Sequence, residues 1–134
     1  MSAQGISPRF ESIEQLRDAL RNFSAERDWD QFHSPKNLSM ALSVETGELL
    51  EHFQWMSESE SRALPEQQLA AVGAEMADVF IYLVRLADKL GIDLLGAAAA
   101  KIELNAQRYP ADEFRGSSRK YSELQARDKP TAWE

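Results

Sequence analysis

Residues 43–55 read SVETGELLEHFQW. Leu38, Leu42, Leu49 and Phe53 recur at steps of four and seven, the spacing of one helix face. The same stretch sets Glu45 and Glu48 three residues apart beside that stripe. At about 100° per residue, Glu45 falls next to Leu38, Leu42 and Leu49, and Glu48 lies one turn along at the edge. Residues three apart on a helix are neighbours, so the two anions repel, and partial burial raises the cost. A helix that keeps both acids there needs something to offset that repulsion.

A second stretch repeats the pattern. Residues 73–83, GAEMADVFIYL, place Glu75 and Asp78 three apart, flanked by Met76, Val79 and Leu83, with Tyr82 on the same edge one turn later. Each pair alone reads as a polar helix edge facing water. Two pairs on the two most apolar helices support a second reading, in which Glu45, Glu48, Glu75 and Asp78 converge on a divalent cation. An all-carboxylate donor set, in a chain with no Cys, suits Mg²⁺, or Mn²⁺ as a substitute, better than Zn²⁺. A carboxylate-bridged di-iron bundle needs a Glu-x-x-His from each of two helices. Here His52 follows Glu48 by four residues and His33 precedes the helix, so that spacing is not met. Gly47, between the two acids, leaves room for a helix or a ligand to approach.

The rest of the chain is organised around these two helices. Ile13, Leu16, Leu20 and Phe23 mark a first helix from Ser12 to Trp29, with Ser12 and Gln15 at capping-box spacing. Ser34-Pro35 is a start signal for the second helix, and the polar segment 56–64, MSESESRAL, reads as a connection. A third helix runs from Pro65 to Leu90, with Leu69, Val72, Met76, Val79, Leu83, Leu86 and Leu90 as its stripe and Gly91 as its stop. A fourth begins at the Asp93 cap and ends at Tyr109-Pro110. Strand and hairpin signals are absent. The expectation is an all-α, antiparallel bundle of about four helices. It forms a single domain over residues 1–134, with residues 111–134 a largely irregular tail.

The bulk properties narrow the function. The chain has 134 residues, 43% of them apolar, and a formal net charge of −7. An acidic surface does not suit long nucleic acids, yet it allows a small polyphosphate held through a cation. The apolar run MADVFIYLVRLA carries Asp78 and Arg85 and is too short for a bilayer. The N-terminus lacks a signal-peptide pattern. The expected location is cytoplasmic.

Aromatic and basic groups flank the acids. Trp29, Phe32 and His33 lie just ahead of the second helix and Phe53 and Trp55 close it. Such side chains either seal the ends of a bundle or stack on a nucleobase. Lys101, Asn105 and Arg108 share one edge of the fourth helix, either as a solvated face or as a phosphate and sugar contact. Arg115, Arg119 and Lys120 either fold over an anion or belong to a solvated tail.

Taken together, AERDWDQFHSPKNLSMALSVETGELLEHFQW, EMADVFIYLVRLADKLGIDL, KIELNAQRYP and SSRKY resemble the MazG-like all-α nucleotide pyrophosphohydrolases, and most closely their dCTP pyrophosphatase branch. The likeness spans residues 10 to 122. It implies a helical bundle assembled as a homo-oligomer, with a tetramer favoured over a dimer. It implies Mg²⁺-dependent cleavage of a nucleoside triphosphate between the α- and β-phosphates. By the same likeness Glu45, Glu48, Glu75 and Asp78 are metal ligands, Trp29, Asp30, Gln31, Phe32, His33, Trp55 and Tyr82 contact the nucleotide, and Lys101 and Asn105 belong to the substrate site. The mechanism expected on these residues takes Glu45 or Glu48 as the catalytic base and adds Arg108 beside Lys101 as a phosphate contact. One position departs: Leu20 stands where the dCTP-preferring mammalian members carry a His that contacts substrate, so the base preference is open. The alternative is a non-catalytic helical module for nucleotide binding or oligomerisation.

Overall fold

A computed structural model describes residues 9–118, and helices are the only regular elements among them. They are α1 (Ile13–Glu26), a 3₁₀ turn (Asp30–Phe32), α2 (Pro35–Glu51), α3 (Glu58–Ser61), α4 (Glu66–Leu90), α5 (Leu94–Arg108) and α6 (Ala111–Phe114). The chain divides into two compact units, one up to Ile92 and one from Asp93 onward. In the first, α2 packs along α4, and α1 also packs on α4. The basic tail positions Arg119 and Lys120 lie outside the described residues; Arg115 faces Asp112 at 3.6 Å.

The helices start where their caps direct. The Ser12 hydroxyl accepts from the Gln15 amide at 3.1 Å, and the Gln15 side chain accepts from the Glu11 amide at 2.9 Å. The Ser34 hydroxyl accepts from the Asn37 amide, with Pro35 in the first turn of α2. The Asp93 carboxylate accepts from the Gly96 amide at 3.0 Å. Each such cap contributes about 1 kcal/mol by satisfying a donor that the helix itself leaves unpaired. Gly91 ends α4 at φ +65°, a conformation that costs a glycine little.

Several boundaries differ from the sequence reading: α2 ends at Glu51, which leaves Phe53 and Trp55 in the turn after it, and Ala111–Phe114 form α6 at the start of the expected tail. The first helix stops at Glu26 rather than Trp29, because the backbone turns left-handed at Asp28, φ +53°. Asp tolerates that region better than most residues. The amides of Arg27 and Trp29 both return to the carbonyl of Ser24, and the chain re-enters a short 3₁₀ turn. The polar connection after Met56 is also not irregular throughout. Ser57 and Glu60 close a capping box, with the Glu60 amide donating to the Ser57 hydroxyl and that hydroxyl donating to the Glu60 carboxylate. That local closure is enough for the single turn of α3.

The core is small. Leu38, Val72, Val84 and Ala87 are its buried apolar side chains, and Leu38 is only 1% exposed. Leu42, Leu49, Val79, Leu83 and Leu86 are half-buried. Leu69, Met76 and Leu90, expected on the buried stripe of α4, are instead exposed, as are Val44 and Phe23. The apolar surface of α4 is wider than α1 and α2 cover. Gly47 faces open space: among the described residues no other helix comes within 4 Å of where its Cβ would be. No helix of the described residues is long and apolar enough to cross a membrane.

Leu38 anchors the start of α2, so truncating it leaves a cavity that a core this small does not refill. Leu38→Ala is expected to lower unfolding free energy by about 2–5 kcal/mol, while Val44→Ala on the exposed face changes it by less than about 1 kcal/mol. Urea denaturation of the two variants checks the contrast.

Candidate active site

The contact of α2 with α4 brings acids together. Carboxylate oxygens of Glu45 and Glu48 on α2 and Glu75 on α4 all lie within 4.8 Å of one another. All three residues are half-buried. Oxygen Oε2 of Glu45 and Oε2 of Glu75 are each buried without a hydrogen-bond partner. Two orphaned carboxylate oxygens at one helix seam are costly unless a cation or protons share them. This donor set fits a hard divalent cation, which takes oxygen ligands at a partly open site. Asp78 is exposed and stands outside this close group, although its charge acts on Glu45. Tyr82 is half-buried on the same helix face, one turn beyond Asp78.

Glu45 has the most perturbed environment. Burial first, then the neighbouring carboxyls of Glu48, Asp78 and Glu75, push its carboxyl up to about 7. Like-charge clustering of this kind is what a metal or a proton relieves.

The aromatic turn packs partly on α1 and α4 and leaves two rings in solvent. Trp29 meets the Phe23 ring edge-on at 5.7 Å, and Arg27 sits 3.6 Å over Phe23. Trp29 and Phe32 remain exposed, at 45% and 59%. The polar residues of the turn are engaged within the chain. Gln31 donates to the Asp28 carbonyl and carboxylate, both at 3.0 Å. Asp30 accepts from Arg85 at 2.7 Å and from Lys89 at 2.8 Å. His33 Nδ1 lies 3.2 Å from the Arg85 guanidinium. A guanidinium only donates, so Nδ1 is the acceptor and Nε2 carries the ring proton. Burial first, then Arg85, hold His33 below its ordinary value. Trp55, in the turn after α2, is 88% exposed. Lys101, Asn105 and Arg108 are exposed on α5, in the second unit.

Arg85 was not singled out as a site residue by its sequence position. It sits inside an apolar run, and the only signal was a cation where a buried aliphatic residue belongs. It is 3% exposed, and Asp88 supports it at 3.7 Å. Asp88 also takes a fork of two hydrogen bonds from Arg21 of α1, which holds its carboxyl below the usual range. A cavity of about 420 Å³ opens beside this network.

A helical chain with a carboxylate cluster at one seam and an exposed aromatic turn defines a class, and the comparisons agree on it. Residues 40–124 match the MazG-like family. The mouse and human dCTP pyrophosphatase 1 proteins are 47% and 46% identical to the chain over 115 residues, covering 84% of it and 68% of each of them. A pyrophosphatase from Archaeoglobus fulgidus DSM 4304, known from its crystal structure, superposes with a TM-score of 0.70 at 40% identity, covering 78% of this chain and 98% of its own. The chain belongs to the MazG-like family.

The raised Glu45 carboxyl makes a signed prediction. Between about 4.5 and about 7 the folded protein keeps a proton that the unfolded chain has lost. Stability of the metal-free protein is therefore full below that window and falls as pH rises through it. A divalent cation displaces the same proton, so its stabilising effect grows over the same range. Urea midpoints measured with chelator, and again with Mg²⁺, check both slopes; Glu45→Gln is expected to flatten the first.

Proposed function

We propose that this chain, a nucleoside triphosphate pyrophosphatase, hydrolyses a pyrimidine deoxynucleoside triphosphate, dCTP or a 5-substituted analogue, between the α- and β-phosphates. The products are the monophosphate and pyrophosphate. The observation that carries the reading is the triad of Glu45, Glu48 and Glu75 with its two unpartnered buried oxygens. The relatives named for dCTP support the choice of substrate.

Glu45, Glu48 and Glu75, with Asp78 at the margin, are the residues proposed to hold Mg²⁺ or Mn²⁺. When bound, the cation neutralises triphosphate charge and aligns the reacting groups. Glu45 or Glu48 is proposed to accept the proton of the attacking water. Trp29 and Phe32 offer exposed rings for stacking on the base, a contact that tolerates several bases. Trp55 and Tyr82 are the further aromatic candidates. Lys101, Asn105 and Arg108 present on α5 the cations and amide that phosphates accept. Leu20 is half-buried and offers no hydrogen bond, so discrimination between bases is weaker than a polar residue there would give. Removing unwanted nucleotides from the precursor pool is the role this chemistry serves.

The proposal includes a homo-oligomer, with a tetramer favoured. Met40 and Val44 on α2 and Leu69, Met76 and Phe80 on α4 are exposed, more apolar surface than a stable monomer ordinarily leaves in water. Light scattering is expected to give about four times the 15.1 kDa chain mass.

Incubation with dCTP and Mg²⁺, resolved by ion-exchange chromatography, is expected to yield dCMP and pyrophosphate. Release of dCDP and orthophosphate would overturn the α–β assignment. Glu48→Gln is expected to lower kcat by about 10²–10⁴-fold, and full turnover in that variant removes Glu48 from the site.

A further inference from the structure

Arg85 is a cation almost sealed from solvent, and what it touches is the turn that follows α1. Its guanidinium donates to Asp30 at 2.7 Å and faces His33 Nδ1 at 3.2 Å, from 55 and 52 residues away in sequence. Lys89, one helical turn later, donates to the same Asp30 oxygen at 2.8 Å. On the other side Asp88 ties Arg85 to Arg21 of α1. The turn's own backbone is held by single hydrogen bonds, from the Phe32 amide to Trp29 and from the His33 amide to Asp30. Asn37 of α2 also donates to the Phe32 carbonyl at 3.0 Å, so what ties the turn to α4 itself is the pair Arg85 and Lys89 on Asp30.

We propose that Arg85 is a positioning residue that fastens the Trp29–His33 turn to α4, with Asp30 and His33 serving as its anchors rather than as substrate contacts. Only Trp29 and Phe32 then project from the turn to meet a base. Arg85 lies ten residues beyond Glu75 on the same helix, about 15 Å along its axis. α4 thus acts as a ruler that sets the aromatic turn at a fixed distance from the carboxylates. The role in base binding rests on the nucleotide reading above; the fastening itself does not.

The burial of Arg85 makes the fastening selective. Its charge needs an acceptor, and its Nε already has none. Loss of Asp30 leaves a buried guanidinium short of its strongest acceptor. Asp30 itself is exposed, so replacing it removes the link without opening the core.

The test uses the full chain and compares Asp30→Asn, Asp30→Glu, Arg85→Lys and the double variant Asp30→Asn/Arg85→Lys. Backbone hydrogen exchange is followed in the peptide covering residues 27–33, and kcat and KM are measured for dCTP with Mg²⁺. Asp30→Asn is expected to speed exchange in that peptide and to raise KM by about tenfold, with a smaller change in kcat. Arg85→Lys, whose single ammonium cannot reach Asp30 and Asp88 with separate nitrogens, follows it. The double variant is no worse than Asp30→Asn alone, because that change already removes the charge that Arg85 and Lys89 share. Asp30→Glu recovers most of KM.

A KM rise for Asp30→Asn that Arg85→Lys does not share, or two effects that multiply, would make Asp30 a substrate contact and overturn the proposal. Unchanged exchange in residues 27–33 would overturn it equally. If the unaltered protein turns over no nucleoside triphosphate, the catalytic reading falls, and the exchange measurement still decides whether Arg85 holds the turn. Asp30→Asn keeps that comparison available if Arg85→Lys does not fold.

Discussion

The seam between α2 and α4 carries two demands that oppose one another. The apolar side chains on either side, Leu38 above all, gain by excluding water. Glu45, Glu48 and Glu75 at the same seam lose by it, since each anion sheds solvent and meets two others. The packing holds only if that penalty is relieved locally. A proton on Glu45 relieves part of it, and a divalent cation shared by the three carboxylates would relieve more. The seam is the stabilising contact of the first unit, and a positive ligand bound there would act on stability through the same atoms.

α4 connects this seam to the rest of the unit. Along one helix it carries Glu75 and Asp78, then Tyr82, then Arg85, Asp88 and Lys89. The first group belongs to the carboxylate cluster. The last group secures α1 through Arg21 and the aromatic turn through Asp30. A side chain on a helix keeps its height and angle as long as the helix persists. Mounting both ends of the candidate site on 25 continuous residues removes the freedom that a loop between them would add.

Much of this was legible in the sequence, because local physics wrote it there. The Ser12, Ser34 and Asp93 caps and the Gly91 stop each depend on neighbours within a few residues. The E-x-x-E and E-x-x-D pairs were readable for the same reason: helical spacing alone puts each pair on one face. What could not be read depends on contacts distant in sequence. No local pattern in RDWDQFH tells Asp30 from an exposed binding residue, since its partners lie 55 and 59 positions away. Asp28 concealed the end of α1 because its positive φ is permitted rather than required by its side chain. Ser57 and Glu60 were a different case. Their capping box was present in the sequence and was outweighed by the polarity around it.

The net charge of −7 raises a last physical question, how an acidic chain would take a polyanion. The answer is local. Asp30 and Asp88 are already matched by Arg85, Lys89 and Arg21, so the far end of α4 is close to neutral. At the other end of the candidate site Glu45, Glu48 and Glu75 crowd together, with Asp78 nearby on α4. Without a cation that cluster repels a triphosphate. With one, the same oxygens become the ligands that hold the positive charge a triphosphate seeks. On the proposed reading the carboxylates would impose an order on binding, in which a polyphosphate enters only a site that already holds a cation, or brings the cation with it. An arginine cluster in their place would bind phosphate unconditionally and leave no group to take a proton from water.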